Sequence, residues 1–239
     1  MADIFLEHKI VLMHNPKCGS RNLRMVALHV VEENPTKYIG SRNNDTLLFV
    51  NKKFVPREVK QNISSSVPVN ENYTYDHCNV VGMYRFFEKF NIEPEDFHFL
   101  YVIRHPQTRY ISGYRYSLKR GIMDKNVSFS DYIHHNLHIK GATNLNDFTI
   151  DKFSLGPGGV PHIHHVVKLE NFKEGLLDFF ESRGFQMAKV PFDLWNNSSR
   201  DYVLDQKLRF SSKDIDFIEE YWKEDIRLGG YEIDPNMEV

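Results

Sequence analysis

Lys9-Ile10-Val11-Leu12-Met13-His14-Asn15-Pro16-Lys17-Cys18-Gly19-Ser20-Arg21-Asn22 joins a short aliphatic run to a polar, basic turn, and from Ser20 the apolar residues recur at Leu23, Val26, Ala27, Val30 and Val31. An unbroken aliphatic run that stops before a proline reads as a buried strand, and apolar residues three and four apart read as one face of a helix. The same succession returns twice. Phe97 to Ile103 is broken by Arg104-His105-Pro106 and followed by a helix that takes Pro106 into its first turn. His165 to Leu169 runs into Phe172, Leu176, Phe179 and Phe180 and closes at Gly184. Strands alternating with helices predict an α/β fold around a mainly parallel sheet, flanked by helices on both faces.

Outward from these units, 239 residues, 41% hydrophobic and 26% charged, are enough for one sizeable core, and the expectation is a single domain over residues 1–239. Loop-rich insertions at about 43–75 and 124–161 interrupt the units, the first with short strands at Thr46 to Val50 and Lys53 to Val55, the second with a Gly156-Pro157-Gly158-Gly159 turn; such insertions are the usual place for substrate selection. A C-terminal helix starts near Ser211 or Ser212, turns Ile215, Ile218, Tyr221 and Trp222 inward and stops at Gly229-Gly230, leaving a loosely held tail from Glu232. A net charge of −2 gives no field that draws nucleic acid or an anionic membrane, so an anion site has to be a local cluster. The apolar runs are too short to span a bilayer, and Asp3 stands where a signal peptide carries basic residues, which reads as a cytoplasmic chain. Two cysteines, Cys18 and Cys78, fit a reducing compartment, where the Asn-X-Ser/Thr sequons at Asn44, Asn62, Asn72, Asn126, Asn196 and Asn197 carry no weight.

The turn after the first strand has the makings of an anion cradle. N–H groups at a helix start and the helix dipole favour negative charge, Lys17 and Arg21 add cations, and Ser20 adds a hydroxyl. It is not a Walker A loop, because Lys17 precedes Gly19 and His14 stands where that motif begins with glycine. A capped helix start with solvated basic residues is the plain alternative. After the second strand, Arg104 sits at a strand terminus and Ser112 two turns into the helix; ends of adjacent parallel strands share a ligand crevice, so two anion sites imply a ligand with two separated phosphate-like groups. Salt bridges within the domain are the alternative for Arg104 and Arg109.

The segments Lys9 to Ser20, Phe99-Leu-Tyr-Val-Ile-Arg-His-Pro-Gln-Thr-Arg-Tyr-Ile-Ser112 and Val166-Val-Lys-Leu-Glu-Asn-Phe172 together resemble the PAPS-dependent sulfotransferases, closest to the carbohydrate 2-O- and chondroitin-type branch; Tyr221 to Asp225 through Gly230-Tyr231 is similar to that branch's C-terminal helix. The resemblance implies a P-loop-like fold and a donor, 3′-phosphoadenosine 5′-phosphosulfate (PAPS), leaving PAP as product. It implies that Lys17, Cys18, Gly19, Ser20, Arg21 and Asn22 hold the 5′-phosphosulfate, with Lys17 on the bridging oxygen, and that Arg104 and Ser112 hold the 3′-phosphate. Asn196-Asn197-Ser198-Ser199-Arg200 resembles a nucleotide-side loop of the family. The acceptor is a hydroxyl on a carbohydrate or small molecule, and no metal is required.

In-line transfer also needs a base. The resemblance points to His77, in Tyr75-Asp76-His77-Cys78, although the family's His-Gly-His pattern is absent; His14 is the second candidate. His134 with His138, and His162 with His164, have spacings seen in metal sites but lack a Cys pair or acidic ligand at a recognised spacing, so they read as cleft or surface residues. A rival reading from another enzyme class is a Cys-X5-Arg phosphatase using Cys18 and Arg24, which gives Arg104 and Ser112 no task; a third is a non-catalytic phosphate-binding module.

Overall fold

The computed structural model describes residues 2–33, 38–39, 49–50, 53–54, 79–89, 91–94, 96–135, 144–188, 190, 192 and 207–238. It has an α/β fold. Strands β1 (Asp3–Phe5), β2 (Ile10–Met13), β3 (Tyr38–Ile39), β6 (His98–Ile103) and β7 (His165–Lys168) form one sheet in the order β3-β1-β2-β6-β7, and β4 (Phe49–Val50) pairs antiparallel with β5 (Lys53–Phe54). The helices are α1 (Ser20–Glu33), α2 (Val80–Lys89), α3 (Pro106–Lys119), α4 (Phe129–His134), α5 (Ile150–Phe153), α6 (Phe172–Glu181), α7 (Ser212–Tyr221) and α8 (Lys223–Gly229). Contacts group the chain into two compact units, Met1–Val102 with Phe153–Trp195 and Ile103–Lys152 with Asn196–Val239.

In the first unit β2 pairs parallel with β6, Ile10 opposite His98 through Met13 opposite Tyr101. A parallel pair needs a long crossover, and α1 and α2 lie in the connection. On its other side β2 meets β1, which the sequence reading did not foresee: β1 runs antiparallel, with Ile4 opposite Val11, because only four residues separate the two strands. β3 adds a second antiparallel pairing with β1, so the parallel sheet expected from the repeats has an antiparallel edge. Ile10, Leu12, Leu100 and Val102 form one core with Leu23, Val26, Ala27 and Val30 of α1 and with Leu176, Phe179 and Phe180 of α6. The alternate residues Val11, Met13, Phe99 and Tyr101 are equally buried. Since successive strand side chains point to opposite faces, the sheet is covered on both; on the second face Tyr101 meets Phe153 edge-on, 6.2 Å between ring centroids.

The second unit is built on aromatic side chains. Trp222 is fully buried; its Nε1–H donates to Tyr110 Oη (2.8 Å), whose hydroxyl donates to Asn146. Gly113 lets α3 approach α4, for a Cβ there would lie 2.2 Å from Tyr132 Oη. The expected C-terminal helix is two: Ser211 caps α7 in a capping box with Asp214, the chain breaks at Trp222, and α8 ends at Gly230 with φ +57°. The tail expected to be loose is held, with the Gln107 amide bonded to both the N–H and the carbonyl of Asp234, and Glu238 paired with Lys207 and Arg209.

Arg109, wholly buried over the Trp222 ring, donates to the Phe148 carbonyl (3.1 Å) and pairs with buried Asp225 (3.7 Å), which also accepts the Ile150 N–H. Burial pushes the Asp225 carboxyl up to about 6 against the pull of Arg109, so the pair is ionised at neutral pH. Removing one partner of a buried pair leaves the other charge desolvated. Arg109→Ala, which leaves the Asp225 carboxylate uncompensated at neutral pH, is expected to lower unfolding free energy by about 3–5 kcal/mol at pH 7.5, read as a lower urea midpoint.

Candidate anion site at the strand-to-helix turn

β2 ends at Met13 and α1 begins at Ser20, so six residues reverse the chain. Asn15 organises the turn: its N–H donates to the Met13 carbonyl, and its own carbonyl accepts from the Cys18 N–H (3.2 Å) and the Ser20 hydroxyl (2.9 Å). Two residues take left-handed backbone, Lys17 at φ +62° and Gly19 at φ +77°. Glycine adopts that region freely, whereas a lysine there is uncommon and is held by the bonds around it. Gly19 also fits against the chain after β7: a Cβ would stand 2.6 Å from Leu169 Cδ1.

The turn delivers charge to a helix start. The first turn of α1 contains no acidic residue, and the N–H groups at a helix start have no partner within the helix. Lys17 and Asn22 are partly exposed and Arg21 is exposed. This is the donor set of an anion cradle. Cys18 lies elsewhere: it is 1% exposed, within the apolar core that includes Leu23 and Leu100. A nucleophilic thiolate needs a partly open, electropositive setting, so the phosphatase reading gains nothing from this placement.

His14 is buried beneath the turn, where its Nε2 meets Asp3 Oδ2 at 2.6 Å and its Nδ1 meets Arg24 Nη2 at 3.4 Å. Burial holds the imidazole pKa below its ordinary value; Arg24 works in the same direction and Asp3 against it. An acceptor hydroxyl does not reach a ring so enclosed. Asp3 and the Leu169 contact were missed from sequence; the one available signal was an acidic residue inside the apolar run Ala2-Asp3-Ile4-Phe5.

In the second unit Arg104 follows β6 directly, and its Nε donates to Thr108 Oγ1 (3.1 Å) at the start of α3, whose first turn also lacks an acid. Ser112 is buried in α3, and Arg109 makes the internal salt bridge that was its alternative. His77, Cys78, His138 and the Asn196 to Arg200 loop lie outside the described residues. Among the described residues no three His, Cys, Asp or Glu side chains gather as a metal site, and no helix is long and apolar enough to cross a membrane. His134 bonds Asp214 (3.0 Å).

His164 and His165 adjoin β7, the strand that leads to Leu169. His164 Nδ1 accepts the Phe99 N–H (3.0 Å), and Arg183 donates to His165 Nε2. Burial first, then the neighbouring His98 for one and Arg183 for the other, lower both pKa values. With His14 and His135, four of the described folded-state histidines titrate below the ordinary 6.5. Through these groups the unfolded chain takes up protons first, and their contribution, present above pH 6.5, is lost as pH drops below it, while Asp225, pushed up to about 6, takes up its proton first in the folded chain and works the other way. The histidine part is read by comparison: between pH 7.5 and 5.5 the urea midpoint of His164→Asn, whose carbonyl still accepts the Phe99 N–H without titrating, should change less in the destabilising direction than that of the wild type.

No family model, curated protein or solved structure matches the chain.

Proposed function

We propose that the chain is a PAPS-dependent sulfotransferase, moving a sulfuryl group from PAPS to a hydroxyl of a carbohydrate or small molecule. The observation that carries this reading is the turn between β2 and α1, where left-handed Lys17 and Gly19 precede an acid-free helix start flanked by a second cation, Arg21. Such a turn suits a doubly charged tetrahedral group. The resemblance in sequence supplies the identity of that group, assigning the 5′-phosphosulfate to this turn and the 3′-phosphate to Arg104 and Ser112.

The acceptor oxygen attacks sulfur in line, the bond from sulfur to the bridging oxygen breaks, and the electron pair leaves on the phosphate of PAP. Lys17 and the helix-start N–H groups stabilise the charge that develops there. The acceptor proton passes to a base, for which His77 is the assignment. His14, enclosed and bonded to Asp3, serves the turn rather than the acceptor.

Thermal unfolding with PAP, AMP and ATP, each in EDTA, tests the reading. At a hundredfold excess over its dissociation constant PAP should stabilise by about 2.7 kcal/mol, with AMP giving little; equal responses to AMP and PAP would remove the two-anion ligand. Lys17→Ala should lower the transfer rate constant by about 10²-fold or more, and His77→Ala should cost about 10²–10⁴-fold in transfer while leaving PAP binding near wild type.

A further inference from the structure

Four histidines, His98, His162, His164 and His165, meet where β6 and β7 begin. The His98 ring lies 5.7 Å from that of His164 and 5.9 Å from that of His165, and His162 lies 6.2 Å from His164, centroid to centroid. Two of these rings hold the chain together as hydrogen-bond acceptors. The His98 N–H donates to the Lys9 carbonyl just before β2 (2.7 Å), so the next N–H, that of Phe99, is directed to the other side, where β7 lies. It donates to His164 Nδ1 (3.0 Å), an imidazole in the place of a strand carbonyl. Phe99 is wholly buried, and a buried N–H needs such a partner. Arg183, just past α6, donates in the same way to His165 Nε2. Amide and guanidinium are donors only, so both ring nitrogens have to be unprotonated. Between the buried residues Phe153 and Val167 the chain forms a strap closed on itself, with the Gly156 N–H on the Val160 carbonyl and the His162 N–H on that of Ser154. Gly156 packs so closely on the His162 ring that a Cβ would stand 2.4 Å from it, and Tyr84 Oη of α2 reaches the same ring at 3.3 Å.

We propose that His164 and His165 form an acid-opened clasp, which holds the strap of residues 154–166 against β6 while both rings are neutral and releases it when they are protonated. A proton on His164 Nδ1 turns the acceptor into a donor and leaves the buried Phe99 N–H without a partner; a proton on His165 Nε2 sets a second cation against Arg183. The titratable and charged groups that face the clasp are His98 of β6, His162 of the strap, Tyr84 of α2 and Arg183, with Asp178 of α6 acting on the guanidinium. His98 opposes charge on both rings, His162 on His164 and Arg183 on His165, so in the closed strap burial and neighbouring charge both resist protonation. Opening relieves both rings at once, because they are adjacent in the chain, and the protons then hold the strap open. The clasp acts independently of the proposed transfer reaction.

Amide hydrogen exchange of the whole chain at pH 7.5 and 5.5, expressed as protection relative to the intrinsic rate at each pH, is the test. A ring that titrates near 6.5 in the open strap and stays neutral in the closed one changes the opening equilibrium roughly tenfold over this range, so protection of the Phe99 amide should fall about 10- to 100-fold. At pH 5.5 Phe99 should also exchange faster than Leu12 of β2, since the strap opens while the sheet stays folded. In the double variant His164→Asn with His165→Gln, whose amide oxygens take the places of Nδ1 and Nε2 and accept without titrating, the fall should vanish. Constant Phe99 protection in wild type overturns the clasp, as does a fall retained in the double variant. One shared protection for Phe99 and Leu12 at pH 5.5 overturns it too, for the strap then opens only with the sheet. Should the double variant not fold, a wild-type NMR titration decides: the His164 and His165 ring signals and the Phe99 amide shift should move with one midpoint, and separate midpoints overturn the proposal.

Discussion

The burial of β2 on both faces is the constraint from which the first unit follows. Ile10, Val11, Leu12 and Met13 are removed from water on alternate sides of one sheet, so α1 and α6 must cover one side and a second set of side chains around Tyr101 and Phe153 the other. Each such side chain contributes about 1.5–3 kcal/mol when fully buried. A strand held this firmly ends abruptly, and the polar groups of the next residues must be satisfied within a few ångströms. Asn15 does this by accepting from both Cys18 and Ser20, and the left-handed steps at Lys17 and Gly19 follow from the tightness of the turn.

The same tightness shapes the proposed anion site. A cradle on a chain of net charge −2 has to be local, and a helix start without acids beside Lys17 and Arg21 is local by construction. Beneath it, Asp3, His14 and Arg24 form a carboxylate–imidazole–guanidinium chain whose charges cancel, which lets them sit largely out of water. Support from the side comes from Leu169 against Gly19, just past the strand that His164 precedes and His165 begins, where His164 accepts the Phe99 N–H and Arg183 donates to His165.

The second unit obeys a different rule. Its core is aromatic and internally hydrogen-bonded, with Trp222, Tyr110 and Asn146 in one chain and Arg109 with Asp225 in another. A buried arginine is tolerable there because a carbonyl, a carboxylate and a ring face each take part of its charge.

The three strand-to-helix units, the pairing of Pro106 with a helix start and the caps at Ser211 and Gly230 were legible from sequence, because each depends on periodicity or on residues adjacent in the chain. So was the basic turn itself, since its cations lie within five residues. What sequence could not carry was anything made between distant residues: β1 beside β2, the break at Trp222, the tail held by Gln107 and the descent of His14 into contact with Asp3. Local pattern determines which segments are strands and helices and which turn is charged. Tertiary packing decides which of the charged and polar side chains are buried, because burial depends on partners that the chain brings together only when it folds.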